Sequence, residues 1–459
     1  MKVRCIHGVI AWACAVLLSP PSVLATDAPP TFEPGFGVCS TLVSPKEEDQ
    51  LRADQRKYES LAAPLQLKIQ SLNDPASVQS RSVEADLRPI QANLLRVLER
   101  LECKRLAALN DAVVRGPAAP KVNFLEMRIS FATDRLREPV PDKGARESSR
   151  YFSGVLDADF KDFTFGTVSV TIPTQRQPGE LNLPGFWSFV GQPDPSRYFV
   201  LREVSESSRE ALFKVMNDLG ADHESTLLLF VHGFNVTFTD AALRTAQLAH
   251  DLQFPGKVML YSWPSAGAVG DYWRDEDSSR ISTPRFRRLL ADLLATNLKR
   301  IFVVAHSMGT RIVIPAVPAL VSQGVDVSKV SELMLAAADF NAIEFKELAA
   351  DFAKLRTRGT HLTIYAASND FALQASRRIH SYRRLGESDP SLSIFAGLDS
   401  VDASAAAPMR RAYGHSYVSD SAQVLGDMQD LVLKGLAPKD RGLLPIPNTS
   451  NSGWRLPKE

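Results

Sequence analysis

Apolar spacing along the chain changes rhythm twice. Before residue 115, apolar residues recur at three- and four-residue intervals in two stretches, 47–72 and 83–110, separated by Asn73-Asp74-Pro75. That spacing predicts two helices, and the turn signal between them predicts an antiparallel helical hairpin. Gly116-Pro117-Ala118-Ala119-Pro120 reads as a linker. Beyond it, residues 122–132 and 163–172 alternate as strands do, and the Pro- and Gly-bearing stretch 174–195 reads as a surface loop.

From residue 226 onward, short apolar runs alternate with helical patterns. The runs lie at 226–231, 257–261, 298–305, 331–338 and 361–367. The helical patterns lie at about 239–252, 284–296, 308–321, 342–355, 371–382 and 419–433. Continuous apolar strands alternating with helices predict a doubly wound, mostly parallel α/β sheet covered on both faces. The Pro- and Asn-rich residues 436–459 read as an irregular tail.

Composition adds limits. Over 459 residues, 53 basic side chains oppose 52 acidic ones, so no net field favours nucleic acid or an anionic membrane. The start of the chain differs from the rest. Two positive charges within Met1–Arg4 precede an apolar run over 5–18, then Pro20-Pro21 and the small-residue site Val23-Leu24-Ala25. This pattern predicts a signal peptide over 1–25 and a periplasmic or secreted mature chain, because the run is shorter than the roughly 20 residues a span needs. Cys5 and Cys14 leave with the signal, and Cys39 and Cys103 are expected to pair as a disulfide across the open end of the hairpin. No Cys/His cluster suggests a metal.

The chemistry centres on Ala305-His306-Ser307-Met308-Gly309, which joins an apolar strand to a helical pattern. A serine on such a sharp turn is lifted above the sheet, and its small neighbours avoid a clash. Backbone N–H groups at the helix start then favour a developing anion. An ordinary helix-capping serine is the bland alternative, but the strand–turn–helix context favours a nucleophile. A second apolar strand ends at His232-Gly233-Phe234-Asn235. The loop after that strand is expected to supply one oxyanion N–H, from Phe234 or Asn235, with Met308 supplying the other. His232 is expected to orient that loop.

The chain order Ser, acid, His leaves His361, His380 and His415 as candidate bases. His361 opens a strand and His380 sits among arginines, whereas His415 precedes the final helix, so His415 is selected. Two aspartates follow strands at the right edge. Asp370 is favoured as the acid, and Asp339 is the alternative acid or a helix cap. Tyr261-Ser262-Trp263-Pro264-Ser265-Ala266-Gly267 is expected to line the pocket, beside a polar–aromatic loop over 271–275.

Taken together, these residues resemble a bacterial group of α/β-hydrolases of unknown function, domain of unknown function nine hundred, in the esterase/lipase superfamily. The matching motifs are Phe131-Ala132-Thr133-Asp134-Arg135, the run 166–173, Phe230-Val231-His232-Gly233-Phe234-Asn235, Tyr261-Ser262-Trp263-Pro264-Ser265 and Ala305-His306-Ser307-Met308-Gly309. They span about 122–435, with strands and loops over 122–220 and a catalytic core over 221–435. The helical region 26–115 lies outside the resemblance. The resemblance implies an α/β-hydrolase sheet and a triad of Ser307, Asp370 and His415, and it implies no substrate.

The expected reaction is hydrolysis of a small-molecule acyl ester, thioester or amide, with no metal or organic cofactor required. The rival is an exported binding or scaffold protein that keeps the fold without turnover, its hairpin contacting a protein partner or the envelope.

Overall fold

In a computed structural model of the chain, the described residues are 45–70, scattered positions between 82 and 97, 123–138, 151–183, 193–218, 225–406, 415–450 and 452–458. The chain divides into two compact units, 1–121 with 185–191, and 122–184 with 192–459.

In the first unit, helix α1 (Pro45–Gln70) forms where apolar spacing predicts one, with Glu47 and Glu48 in its first turn, where exposed N–H groups favour negative charge. Helical positions recur between 82 and 97. The turn at Asn73-Asp74-Pro75, both Cys39 and Cys103, the linker and the predicted signal peptide lie outside the described residues.

The second unit opens with β1 (Phe124–Thr133), β2 (Arg135–Arg137), β3 (Phe152–Leu156), β4 (Thr164–Pro173) and β5 (Val200–Ser207). It continues through α2 (Arg209–Asn217), β6 (Thr226–Val231), α3 (Phe238–Asp251), β7 (Lys257–Ser262) and α4 (Tyr272–Leu294). Then follow β8 (Arg300–His306), α5 (Thr310–Ser322), β9 (Val330–Ala336), α6 (Ala342–Arg356), β10 (His361–Ala366) and α7 (Phe371–His380). The last elements are β11 (Asp399–Asp402), α8 (Tyr417–Asp420), α9 (Ala422–Gln429), β12 (Leu444–Pro445) and β13 (Gly453–Arg455).

Eleven strands form one sheet in the order β12-β13-β11-β10-β9-β8-β6-β7-β1-β4-β5. Pairing is parallel from β13 through β1, and antiparallel only at the two margins. The continuous apolar runs follow from burial on both faces. In β6, Leu228 and Phe230 enter one core with Ala241 and Ala246 of α3, while Leu227, Leu229 and Val231 enter the other with Phe286 and Leu289 of α4.

Chain direction reverses at β6. The chain steps from β6 to β7, then crosses back over β6 to reach β8. Loops on the C-terminal side diverge at such a reversal and leave a crevice, the usual ligand position in an open α/β sheet.

Several elements differ from the sequence expectation. Helix α4 starts at Tyr272 rather than near residue 284, and contains Pro284. Its early turns bury Asp275, Ser278, Ser279 and Ser282, so the buried face is polar there and apolar spacing carries no helical signal. The region read as an irregular tail adds β12 and β13, with Trp454 buried at the sheet margin. The final helix breaks at Ser421, whose extended backbone and side chain cap α9. Strand β5 and helix α2 lie where no element was expected.

Candidate active site

Ser307 stands where β8 becomes helical, with φ of +52°. A left-handed backbone costs a non-glycine residue free energy, on the order of 1–3 kcal/mol, and such strain persists only where surrounding packing enforces it. The packing is visible at two glycines. A Cβ on Gly309 would meet His232 O at 2.4 Å and Val231 O at 2.7 Å. A Cβ on Gly233 would meet Ser307 Cβ at 2.7 Å. Loop 232–235 therefore lies directly against the serine turn, an approach only glycine permits.

No side chain caps the turn 307–309. Phe234 and Met308, the expected oxyanion donors, lie on the two segments pressed together here. Asn235 has left-handed φ of +57°, and its N–H donates to Asp275 Oδ2 at 3.3 Å. That engagement leaves Phe234 as the better placed of the two loop donors.

His415 and Asp370 are brought together. His415 Nδ1–H donates to Asp370 Oδ2 at 2.8 Å and lies 3.0 Å from Oδ1. Asp370 is fully buried at the start of α7, and it also accepts the Leu373 N–H at 3.0 Å. Burial pulls the His415 pKa down, but the charge and hydrogen bond of Asp370 outweigh it and hold the imidazole above its ordinary value. Residues 407–414 lie outside the described residues, so the contacts after His415 show how it is held. Ser416 Oγ donates to Asp420, Asp420 pairs with Arg244 at 2.7 Å, and Gln247 Nε2 donates to Ser419 O at 2.8 Å. Helix α8 is thus fastened to α3.

Sequence reasoning passed over His306. Its ring lies 4.9 Å from that of His415, and its Nε2–H donates to His415 O at 3.2 Å. Burial, then the neighbouring His415, push its pKa down to about 3, so it remains neutral.

His361 begins β10, at the strand end opposite Asp370. His380 ends α7 and is half-buried, its Nε2–H donating to Glu276 Oε1 at 3.0 Å. Asp339 does not cap α6; Asn341 does, accepting from the N–H groups of Ile343 and Glu344. Asp339 instead receives Ser376 Oγ at 2.6 Å, Tyr272 OH at 2.8 Å and Arg311 Nη2 at 3.1 Å, with Arg384 at 3.4 Å. Burial raises its pKa, but Arg311 and Arg384 overcome that and keep it below the ordinary value.

The segment expected to line the pocket serves as support. Tyr261, Ser262, Trp263 and Ser265 are fully buried. Trp263 stacks on the His232 ring at 5.1 Å and 9°, and its Nε1–H donates to His232 O at 2.7 Å. Asp275 accepts the Ala266 N–H at 2.7 Å and the Ser265 hydroxyl. Residues 272–275 form the first turn of α4 rather than a loop.

Arg135 is the largest unanticipated contributor. It is 2% exposed and makes five hydrogen bonds. Nε donates to Ser262 Oγ at 2.9 Å, and Nη1 to Ser153 O at 3.1 Å and Ser265 O at 2.9 Å. Nη2 donates to Val236 O at 2.9 Å and faces His232 Nε2 at 3.2 Å. Burial lowers the guanidinium pKa to about 10, against the opposing pull of Asp134, Asp275 and Asp240. The available signal was its place in the motif Phe131-Ala132-Thr133-Asp134-Arg135, directly following a strand.

Among known proteins, residues 206–433 match the family described as alpha/beta hydrolase of unknown function (DUF900). No curated protein and no solved structure matches the chain. The motifs at 131–135 and 166–173 precede the matched segment, although β1 and β4 share its sheet.

Proposed function

We propose that residues 206–433, which belong to the alpha/beta hydrolases of unknown function, work with the strands before them as a serine hydrolase. The observation that carries this reading is the strained Ser307 turn at the end of β8 together with the His415–Asp370 hydrogen bond at 2.8 Å, His415 being tied to that turn through the His306 Nε2–H on its carbonyl oxygen at 3.2 Å. In this reading His415 removes the Ser307 proton as Oγ attacks the carbonyl carbon of an ester, thioester or amide. N–H groups of Phe234 and Met308 bind the oxyanion, and Asp370 stabilises the imidazolium. The imidazolium then protonates the leaving group, and water, deprotonated by His415, releases the acid and restores Ser307.

Short connections support an open site for small or moderately polar acyl groups. Strand β9 reaches α6 through residues 337–341, and β10 reaches α7 through 367–370, leaving no room for a lid at either point. The leader-like residues 1–25 suggest that the protein acts after export.

Turnover of short acyl esters and labelling by a fluorophosphonate probe test the assignment. Ser307→Ala is expected to abolish labelling and lower kcat by about a millionfold. Wild-type turnover in that variant would sink the proposal, and a wild-type protein that neither turns over nor labels would favour the scaffold reading.

A further inference from the structure

We propose that Arg135 and His232 form a tautomer-fixing relay that aims the Phe234 N–H at the oxyanion position. The inference rests on the hydrolase reading for its catalytic consequence, but the relay itself is a property of the folded protein.

His232 is 1% exposed, and its two ring nitrogens face different partners. Nδ1 lies 2.9 Å from Gly233 O, an atom that only accepts, so Nδ1 carries the proton. Nε2 lies 3.2 Å from Arg135 Nη2, an atom that only donates, so Nε2 is left bare. Trp263 O also lies 3.1 Å from Nε2 while accepting the Ser265 N–H at 2.8 Å, but a proton on Nε2 would meet the Nη2–H of Arg135, whereas a bare Nε2 accepts from it. A second proton on the ring would point at the guanidinium. Burial, then the charge of Arg135, accordingly hold His232 well below its ordinary pKa.

The consequence follows from peptide geometry. Gly233 O and the Phe234 N–H belong to one trans peptide unit, in which C=O and N–H point in opposite directions. Holding the carbonyl on the His232 ring turns the N–H to the other side. Gly233 is also the residue whose missing Cβ lets Ser307 approach. The remaining Arg135 donors hold the end of the loop at Val236 O and the neighbouring segment at Ser265 O, and the Ser265 hydroxyl in turn accepts the Val236 N–H at 3.0 Å. A buried guanidinium with every N–H engaged resists rotation, so the loop has one setting. Arg135 and His232 are therefore positioning residues, acting through the Gly233–Phe234 peptide. Arg135 lies before the family-matched segment 206–433, which makes the leading strands part of the catalytic apparatus.

The test has a spectroscopic arm and a kinetic arm. Nitrogen-15 spectra of the full-length protein labelled at histidine, with the His232 signals assigned by their loss in His232→Asn, are expected to show Nδ1 protonated and Nε2 bare. An Nε2–H tautomer or a charged ring would overturn the relay whether or not the protein is a hydrolase. In Arg135→Met those signals should move toward a mixture of tautomers; an unchanged tautomer removes Arg135 from the relay. On a short acyl ester, His232→Leu should lower kcat about a hundredfold with KM changed by less than about threefold, the pattern of a lost oxyanion interaction. His232→Asn keeps a donor near the Nδ1 position and should recover about tenfold of that loss. Wild-type kcat in His232→Leu, or no recovery in His232→Asn, would refute the aiming role. Should the variants fail to fold, the His232 signals are identified in the wild-type protein by their through-space contact with the stacked Trp263 indole, and those signals decide the tautomer. A wild-type protein with the expected tautomer but no turnover would remove the hydrolase reading and leave the relay standing.

Discussion

Asp370 and Asp339 make an instructive pair. Each lies a few residues past the end of a central strand, β10 and β9, and each is buried. Their surroundings diverge. Among the described residues, Asp370 faces the imidazole of His415 and one backbone N–H, with no arginine in hydrogen-bonding contact. Asp339 faces Arg311 and Arg384 together with two hydroxyls. A carboxylate already balanced by two guanidinium groups has little negative charge left to stabilise a protonated histidine. A carboxylate whose principal partner is a histidine reserves its charge for that proton. Position at a strand end thus brings both acids to the crevice side, and the neighbouring cations decide which one suits the proposed reaction.

The sharpest test of that contrast is Asp370→Asn, expected to lower kcat by about ten thousandfold while the protein stays folded, as an uncharged side chain there no longer favours the imidazolium. Steady-state kinetics beside a thermal melt reads both quantities. Asp339→Asn should do the reverse. Stripping a partner from a buried charge cluster costs about 3–5 kcal/mol in unfolding free energy, whereas kcat should change by less than about tenfold. A ten-thousandfold loss at Asp339, with Asp370→Asn nearly silent, would exchange the two roles.

The pH profile gives a smaller, directional effect. In the proposed reaction His415 must be neutral to accept the serine proton, and Asp370 raises its pKa above the ordinary histidine value. The acid limb of kcat/KM should therefore fall at a pH above about 6.5, the unperturbed value. In Asp370→Asn the residual activity should lose that displacement, and its limb should move to lower pH. The smallest effect concerns the cap beside Asp339. Because Asn341 holds the first turn of α6, Asn341→Ala should cost about 1 kcal/mol in a denaturant titration and leave kcat unchanged. Loss of activity there would mean that α6 reports to the site more directly than the capping contacts indicate.

Much of the scaffold was legible because it depends on local pattern. Strand β6 occupies the predicted 226–231, and β8, β9 and β10 fall within two residues of their predicted ends, since each buries both faces and shows as an uninterrupted apolar run. The serine turn was legible for a similar reason, as steric limits around Ser307 act over two residues on either side. Where burial is polar, the pattern was silent. Asp275 and Ser282 face inward on α4 because Ser265 and Ala266, on the segment before the helix, and Asp134, far back along the chain, supply their partners. Trp454 closes the sheet in a stretch whose prolines and asparagines resemble a loose end.

The order of residues thus determined the doubly wound sheet, the elbow that carries Ser307, and the short choice among acids and bases. Tertiary structure alone decided that Asp339 is spent on Arg311 and Arg384, that His306 braces His415, and that Arg135 saturates its donors behind loop 232–235. The physical reason is range. Strand and turn preferences arise from neighbours along the chain, whereas the charge state of a buried group is set by whichever partners the fold delivers to it. For Arg135 those partners lie between 18 and 130 residues away.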